Sequence, residues 1–206
     1  MVEDQYGAIG FQETTMKRIM FFSIVFLILL TLVGLDPIRA QVTHSTDLSS
    51  NQSRVKRGLK ISPVDLDLQG KNRSLVGLGS YLVNAVSECN DCHTCPTYAP
   101  GHNPFDGVGD GQLNAENYLA GGVHFGPVES ANLTPDQNGK PAGLNFDEFV
   151  ELIRTGHDPE DDPDEVLQVM PWPFFRHMTQ RDLHAIYEFL RSIPHASPGT
   201  CSGPGE

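Results

Sequence analysis

Three residues capable of thiol and metal chemistry stand close together near the middle of the chain: Cys89, Cys92 and His93. On a helix, positions i, i+3 and i+4 face the same way, so both thiols and the imidazole can approach one planar group. The thiols can then meet the two vinyl edges of a porphyrin while the imidazole reaches its iron. This C-x-x-C-H spacing is the attachment signature of c-type haem. It occurs once, which predicts one covalent haem.

Two other uses of the motif compete with haem. A structural zinc site would use Cys95 as a further thiolate, but such sites need a second ligand pair at a distance. A thioredoxin-like dithiol needs a strand before the motif, whereas a helix is predicted there. Cys201 stands alone in a tail rich in Gly and Pro. We expect Cys95 and Cys201 to form a disulfide that holds this tail beside the haem-bearing turn; two free thiols are the alternative.

The predicted sixth ligand of the iron is Met170, which follows His93 by 77 residues. A thioether favours ferrous iron and raises the reduction potential, as an electron carrier requires. Prolines 171 and 173 predict a rigid, extended loop without helix around Met170. Trp172, between them, is expected to cover the ring or to donate its indole N–H to a propionate.

Other ligands remain open. Met178 is the reserve thioether, although its place beside a predicted helix cap favours packing. Bis-histidine ligation would use one of four histidines that otherwise belong to loops or the surface: His102, His124, His157 and His177.

The helices that must hold these residues can be predicted from apolar spacing. Residues 74–88 carry an apolar face that ends at the haem motif, with Gly79 inside the helix, which suggests a close crossing with another helix. A second helix is predicted over 146–155, with Asn145 as its cap, Glu148 completing a capping box and Gly156 ending it.

The last helix is predicted over 180–192, capped by Thr179 with Asp182 three residues later. A short helix is expected over 115–120. No stretch alternates convincingly between apolar and polar residues, so the fold class is predicted to be all-α.

The N-terminal residues predict export. Lys17 and Arg18 precede an apolar run over 19–33, and a small residue, Ala40, follows at the expected cleavage position, so residues 1–40 are interpreted as a signal peptide. An uncleaved membrane segment is the alternative, and Met16 is a plausible true start. The protein is therefore expected in the periplasm or at the outer face of the cytoplasmic membrane, touching the membrane only through an uncleaved N-terminus.

Residues 41–72 show no apolar period and are predicted to be a flexible linker, disordered up to about Gly58. The haem-binding domain then occupies 73–195, and 196–206 form a C-terminal tail.

Charge restricts the partners. The formal net charge is −12, and residues 74–206 contain five Lys or Arg against nineteen Asp or Glu, which gives −14 for this part. Such a surface argues against nucleic acid and anionic lipid, and it favours a redox protein with a basic docking patch.

These residues resemble the mono-haem class I cytochrome c family over about residues 72–195. Segments 78–82 and 182–190 look like the family's N- and C-terminal helices, which cross, so Gly79 and Tyr187 would meet. Three further pieces resemble cytochrome modules of bacterial membrane-bound dehydrogenases: Asn132-Leu133-Thr134-Pro135-Asp136, Arg154-Thr155-Gly156 and Met170-Pro171-Trp172. The first of these is expected in a haem-pocket loop. The resemblance implies about four helices with long loops around one haem.

The expected function is therefore electron transfer, with no catalytic residue and with the iron cycling between ferric and ferrous states. The chain would act as a shuttle, or as the cytochrome subunit of a respiratory or dehydrogenase chain whose partner is a dehydrogenase or a terminal oxidase. Two alternatives need an open iron position: a peroxidase-like haem enzyme, and a gas-binding sensor in which Met170 leaves the iron.

Overall fold

A computed structural model of the protein describes the backbone of residues 36–201 and the side chains of residues 49–201. The predicted signal peptide falls almost entirely outside these residues. The chain divides into two compact units, residues 1–49 and residues 50–206. In the first unit only a helical stretch is described, and all that follows concerns the second.

Helix α1, Asp36–Ile61, occupies much of the segment predicted to be a flexible linker. From residue 50 onwards it packs against the next helix through glycine. A side chain at Gly58 would overlap the carbonyl oxygen of Gly77, and the Ser80 hydroxyl donates to the Gly58 carbonyl at 2.8 Å. Backbone-to-backbone packing of this kind needs no apolar stripe, which is why the absence of one wrongly suggested disorder up to Gly58. The predicted domain boundaries at 40 and 72 stay a prediction.

Helix α2, Arg73–Ala85, agrees with the helix predicted over 74–88 and begins at Asn72, whose side chain accepts from two backbone N–H groups. Helix α6, Gln180–Leu190, begins at the predicted Thr179–Asp182 capping box. The two helices cross at Gly79, where a Cβ would meet the backbone of Ala185 and the side chain of Phe189. The close crossing predicted from Gly79 is present, and Ala185 occupies the contact expected for Tyr187.

Two further helices follow α2 along the chain. Helix α3, Cys89–His93, is a single turn that contains the motif. Helix α4, Phe146–Thr155, has the predicted bounds, the Asn145–Glu148 capping box and the left-handed Gly156, φ +79°, at its end.

The chain around Met170 differs from the prediction. Helix α5, Trp172–Phe175, begins directly after Pro171, whereas the two prolines had predicted an extended loop without helix. Proline is compatible with the first helical turn, because the N–H that it lacks has no partner there. The helix expected over 115–120 does not form. Two short antiparallel strands that the sequence did not predict, β1, His124–Phe125, and β2, Val128–Glu129, make a hairpin.

The described residues thus contain six α-helices, one 3-10 turn at Pro104–Asp106 and one two-stranded sheet, which confirms a mainly helical fold. The buried core joins α2, α4 and α6 with the loop before the hairpin; its fully buried members include Val76, Val83, Tyr118, Leu119, Leu183 and Phe189. Within the part of the chain that the structure describes, no helix has the length and apolar character needed to cross a membrane.

Candidate functional site

A cavity of about 220 Å³ lies between α3, α4, α6, the hairpin and the segment before α5. All four residues predicted to hold a haem line it: Cys89, Cys92, His93 and Met170. The fold therefore brings together residues that are up to 81 positions apart in the sequence.

The rest of the cavity wall is predominantly apolar. Its members come from every surrounding element: Val83, Phe125, Val128, Leu133, Ala142, Leu144, Phe149, Leu152, Ile153, Leu167, Phe175, Leu183, Ile186 and Leu190. Leu133 belongs to the segment expected to form a haem-pocket loop. A wall of this kind excludes water and suits a large apolar ring.

Helix α3 is held at both ends. Glu88 precedes it in a left-handed conformation, φ 50°, which turns the chain sharply out of α2. At its other end the carbonyl of His93 accepts from Gly121 N–H at 2.8 Å, and the hydroxyl of Thr94 accepts from Leu119 N–H at 3.0 Å. These bonds fix the direction in which the three motif side chains project.

The imidazole of His93 is oriented by one hydrogen bond. Its Nδ1 lies 2.8 Å from the carbonyl oxygen of Ala131, and a carbonyl can only accept, so Nδ1 carries the proton. Burial lowers the pKa of His93, although the bond to Ala131 opposes this shift, so the net effect favours the neutral ring. The lone pair on Nε2 is left for a metal, an arrangement typical of histidine ligands.

The two motif thiols lie in surroundings that disfavour a thiolate. Burial raises the pKa of Cys89 to about 12. Burial also raises the pKa of Cys92, and the neighbouring Asp91 adds to this effect. Both thiols are therefore held in the protonated form in this structure.

Cys95 and Cys201 are joined by a disulfide with their Cα atoms 5.9 Å apart. The third thiolate that a zinc site would require is therefore engaged elsewhere. Among residues 49–201 no group of three or more His, Cys, Asp and Glu side chains is arranged to hold a metal ion.

Met170 reaches the cavity from a segment folded around Trp172. The Trp172 backbone N–H donates to Met170 O at 2.8 Å, and its indole N–H donates to Leu167 O at 3.1 Å. The Leu167 N–H in turn donates to Gly156 O at 2.9 Å, which ties the segment to the end of α4. Trp172 does not itself line the cavity, and its N–H already has a backbone acceptor. Its expected contact with a haem therefore stays a prediction, and in this geometry its indole braces the Met170 segment.

Of the alternative sixth ligands, Met178 lies at the cavity and the four histidines do not. Met178 also lines the cavity, so a second thioether lies at the site. None of the four alternative histidines lines it; three have partners of their own. His102 lies 2.7 Å from Asp110, His157 Nδ1 lies 2.8 Å from Glu165 O, and His124 lies 3.7 Å from Glu129.

Sequence reasoning missed the Ala131 carbonyl and the hairpin wall. Ala131 follows His93 by 38 residues, and a backbone acceptor leaves no sequence signal. The Gly126-Pro127 pair between Phe125 and Val128 is a turn signal in the sequence, and Gly126 has a positive φ in the structure. Each strand of the hairpin has only two residues, too few to show an alternating pattern.

The donor set fits a covalently bound haem. It comprises two thiols on one face of a helical turn, a neutral imidazole with a free Nε2, and a thioether across an apolar cavity. One buried polar atom in the wall, Ser87 Oγ, has no hydrogen-bond partner among the described residues, as expected where a bound group or water completes the site.

Comparison with known proteins supports a cytochrome c module. Over 121 residues the chain is 29% identical to the cytochrome c subunit of the quinone alcohol dehydrogenase of Gluconacetobacter polyoxogenes, an alignment that covers 57% of this chain and 21% of the relative. The corresponding subunit of Komagataeibacter europaeus gives the same values. That of Gluconobacter oxydans (strain 621H) is 26% identical over 126 residues, covering 59% of this chain and 22% of the relative.

The chain thus spans about a fifth of the length of these relatives. No family model matches the chain, and no solved structure matches it. All three relatives are cytochrome c subunits of a dehydrogenase, which agrees with the expectation that this chain is an electron carrier and not an enzyme.

Proposed function

We propose that this chain is an exported, single-haem class I cytochrome c that transfers electrons. Cys89 and Cys92 carry the haem through thioether bonds, and His93 and Met170 are the axial ligands of its iron. The observation that carries the proposal is the convergence of these four side chains on one apolar cavity.

When bound, haem c supplies a one-electron couple between ferric and ferrous iron. The residues of the chain set the conditions for that couple. The apolar wall keeps water away and disfavours the extra charge of the ferric form, and the Met170 thioether also favours the ferrous form. The bond from His93 to Ala131 holds the imidazole in one orientation, so the ligand set changes little between the two states.

The rim of the cavity is where a partner would dock. Val128 and Val169 line the cavity and are 38% and 41% exposed, and two acidic side chains, Glu129 and Asp158, belong to the same rim. An apolar contact surrounded by carboxylates suits a redox protein with a basic patch. The named relatives suggest a dehydrogenase as that partner, with a terminal oxidase as the other candidate.

The location follows from the chemistry. Covalent haem attachment by way of C-x-x-C-H and a disulfide both suit an oxidising compartment, so we assign the protein to the periplasm or to the outer face of the cytoplasmic membrane. The acidic surface argues against nucleic acid as a partner.

The test is optical spectroscopy of the oxidised and reduced protein, matured with haem, beside Met170→Ala and Met178→Ala. We expect a covalent low-spin haem with the weak sulfur-to-iron charge-transfer band. Met170→Ala should lose the band and bind carbon monoxide in the ferrous state, whereas the matched Met178→Ala should keep the band.

The other results are equally informative. Loss of the band in Met178→Ala alone would transfer the ligand role to Met178. A high-spin wild-type protein that binds carbon monoxide would favour the peroxidase-like enzyme or the gas sensor. A protein that takes up no haem would defeat the proposal and return attention to zinc.

A further inference from the structure

Residues 195–201, here called the C-terminal strap, lie against several residues between 117 and 135, the segment that contains Ala131. The Cys95–Cys201 disulfide closes the strap onto the residues that follow α3. Along its length, Asn117 Nδ2 donates to Ser197 O at 2.9 Å and His124 N–H donates to Cys201 O at 3.2 Å. The strap is therefore fixed to the domain at several points and does not trail from it.

Close backbone packing holds the middle of the strap. A side chain at Gly199 would overlap the carbonyl oxygen of Cys95, and a side chain at Gly122 would overlap the carbonyl oxygen of Gly199. Cys95 is fully buried at this contact. The sequence leaves room for the strap only because glycine stands at both positions.

The strap also bonds directly to the segment after Ala131. Asn132 Nδ2 donates to Ala196 O at 2.9 Å, and the Ala196 N–H donates to the Thr134 hydroxyl at 3.3 Å. His195 Nδ1 lies 3.1 Å from Pro135 O, so it donates to that carbonyl. These three bonds cover residues 132–135 and begin one residue beyond Ala131.

Ser130, the residue before Ala131, is held by two backbone hydrogen bonds. The Gly122 N–H donates to Ser130 O at 3.1 Å, and the Ser130 N–H donates to Val123 O at 2.9 Å. The carbonyl that accepts from His93 thus lies between Ser130, held by residues 122–123, and Asn132, held by the strap. The strap also reaches residues 123–124 through Cys201, so it supports both sides.

We propose that the C-terminal strap is a positioning element for His93: closed by the Cys95–Cys201 disulfide, it holds the Ala131 carbonyl at hydrogen-bonding distance from Nδ1. This inference rests on the proposed function, because it concerns His93 as an iron ligand. It adds a role for a disulfide and a tail that the haem motif does not require.

The strap should influence the iron through the imidazole. A hydrogen bond from Nδ1–H raises the basicity of a histidine ligand, and a more basic ligand favours the ferric state. Opening the disulfide leaves the strap with only its hydrogen bonds, so the Ala131 carbonyl is held less firmly and the reduction potential rises.

The first test compares one protein with its disulfide closed and open. Ascorbate reduces the iron and leaves disulfides intact. A water-soluble phosphine supplies two electrons to the disulfide, giving two thiols, while the phosphine becomes its oxide with oxygen from water. In the ferrous protein, NMR follows exchange of the His93 Nδ1 proton with solvent. We expect exchange to accelerate by about tenfold or more when the disulfide is open.

Variants separate the strap from general loosening. Cys95→Ser with Cys201→Ser should reproduce the faster exchange and the more positive potential. Asn132→Ala should move both readouts in the same direction, because it removes the bond to Ala196 and the two bonds that Asn132 Oδ1 accepts from Thr134. The matched Asn138→Ala should move neither, because Asn138 bonds only to Asp136 in an exposed turn.

The outcomes are distinct. Unchanged exchange and unchanged potential after the disulfide is opened, with His93 still bound to iron, would overturn the inference and leave the proposed function standing. Equal effects of Asn132→Ala and Asn138→Ala would also overturn it. A wild-type protein in which His93 does not ligate iron would defeat the proposed function itself, and the inference with it.

Discussion

The indole of Trp172 lies directly against the α-carbon of Gly156, so that a Cβ at Gly156 would overlap the ring atoms. Gly156 ends α4 in a left-handed conformation, and Trp172 follows Met170 by two residues. The relationship places the end of one core helix in contact with the segment that carries the predicted axial thioether. Space at Gly156 is therefore a condition for the position of Met170.

Gly156→Ala is expected to destabilise the domain and to displace Met170. The left-handed backbone and the overlap with the indole together should cost roughly 2–4 kcal/mol. Thermal unfolding and the sulfur-to-iron band are the measurements, and the band should weaken. Gly139→Ala is the control, because Gly139 also has a positive φ but has nothing within 4 Å of a Cβ. Equal losses in the two variants would show that the indole contact is unimportant.

Gly77→Ala tests whether α1 packs on α2 in solution. In an exposed helix this change stabilises by roughly 1 kcal/mol, because alanine has the higher helix propensity. In the structure a Cβ at Gly77 would lie 2.7 Å from Val55 O and 2.8 Å from a Val55 methyl group. We therefore expect destabilisation by about 1–3 kcal/mol in denaturant unfolding. A gain in stability would mean that residues 50–61 do not pack here.

The Tyr118 hydroxyl is expected to contribute more to the free energy of unfolding than the Tyr98 hydroxyl. Tyr118 is 2% exposed and donates to Asn84 Oδ1 at 2.5 Å, and burial strongly raises its pKa. Tyr118→Phe leaves the Asn84 oxygen without its donor and should cost about 1–3 kcal/mol in chemical unfolding. Tyr98→Phe makes the same chemical change at a more open position and should cost less. The reverse order would contradict the buried bond.

The haem-free chain should lose stability at alkaline pH through Cys89. Burial raises the pKa of this thiol from 9.0 to about 12, so the folded state keeps a proton that the unfolded state has lost. The contribution of this protonated thiol to the free energy of unfolding is fully present below pH 9 and is lost as the pH rises towards about 12. Denaturant unfolding across this range should show the slope in the haem-free wild type.

Two comparisons isolate that thiol from other alkaline groups. Cys89→Ala should reduce the slope of the haem-free chain. The haem-loaded protein should lack the same contribution, because its Cys89 sulfur would be a thioether. An identical slope in all three proteins would exclude Cys89 as its source.

Local signals made α4 and α6 predictable. Asn145 and Thr179 cap helices whose third residues close a capping box, and all these contacts lie within four positions of sequence. The motif residues of α3 were equally readable, because helical spacing alone brings their side chains together. Features of this kind need no knowledge of the rest of the fold.

The missed features depend on distant partners. Helix α1 is explained by the Gly58–Gly77 contact, and two glycines 19 residues apart give no periodic signal. The position of the proton on His93 depends on the backbone carbonyl of Ala131. Every residue type has such a carbonyl, so the residue at position 131 gives no signal in the sequence. Helix α5 was missed for another reason: proline was treated as excluding helix, whereas Pro171 stands at the N-cap and Pro173 in the first turn, where proline is tolerated.

The positions of the four cysteines limit the disulfides that can form at each stage of maturation. Four free thiols allow three complete pairings, and loop-closure entropy favours pairs close in sequence, such as Cys92 with Cys95, over the 106-residue separation of Cys95 and Cys201. If Cys89 and Cys92 form thioethers to haem as proposed, Cys95 and Cys201 are the two cysteines left to pair with each other. Haem attachment before oxidation would then prevent incorrect pairing, because only the disulfide between Cys95 and Cys201 could still form.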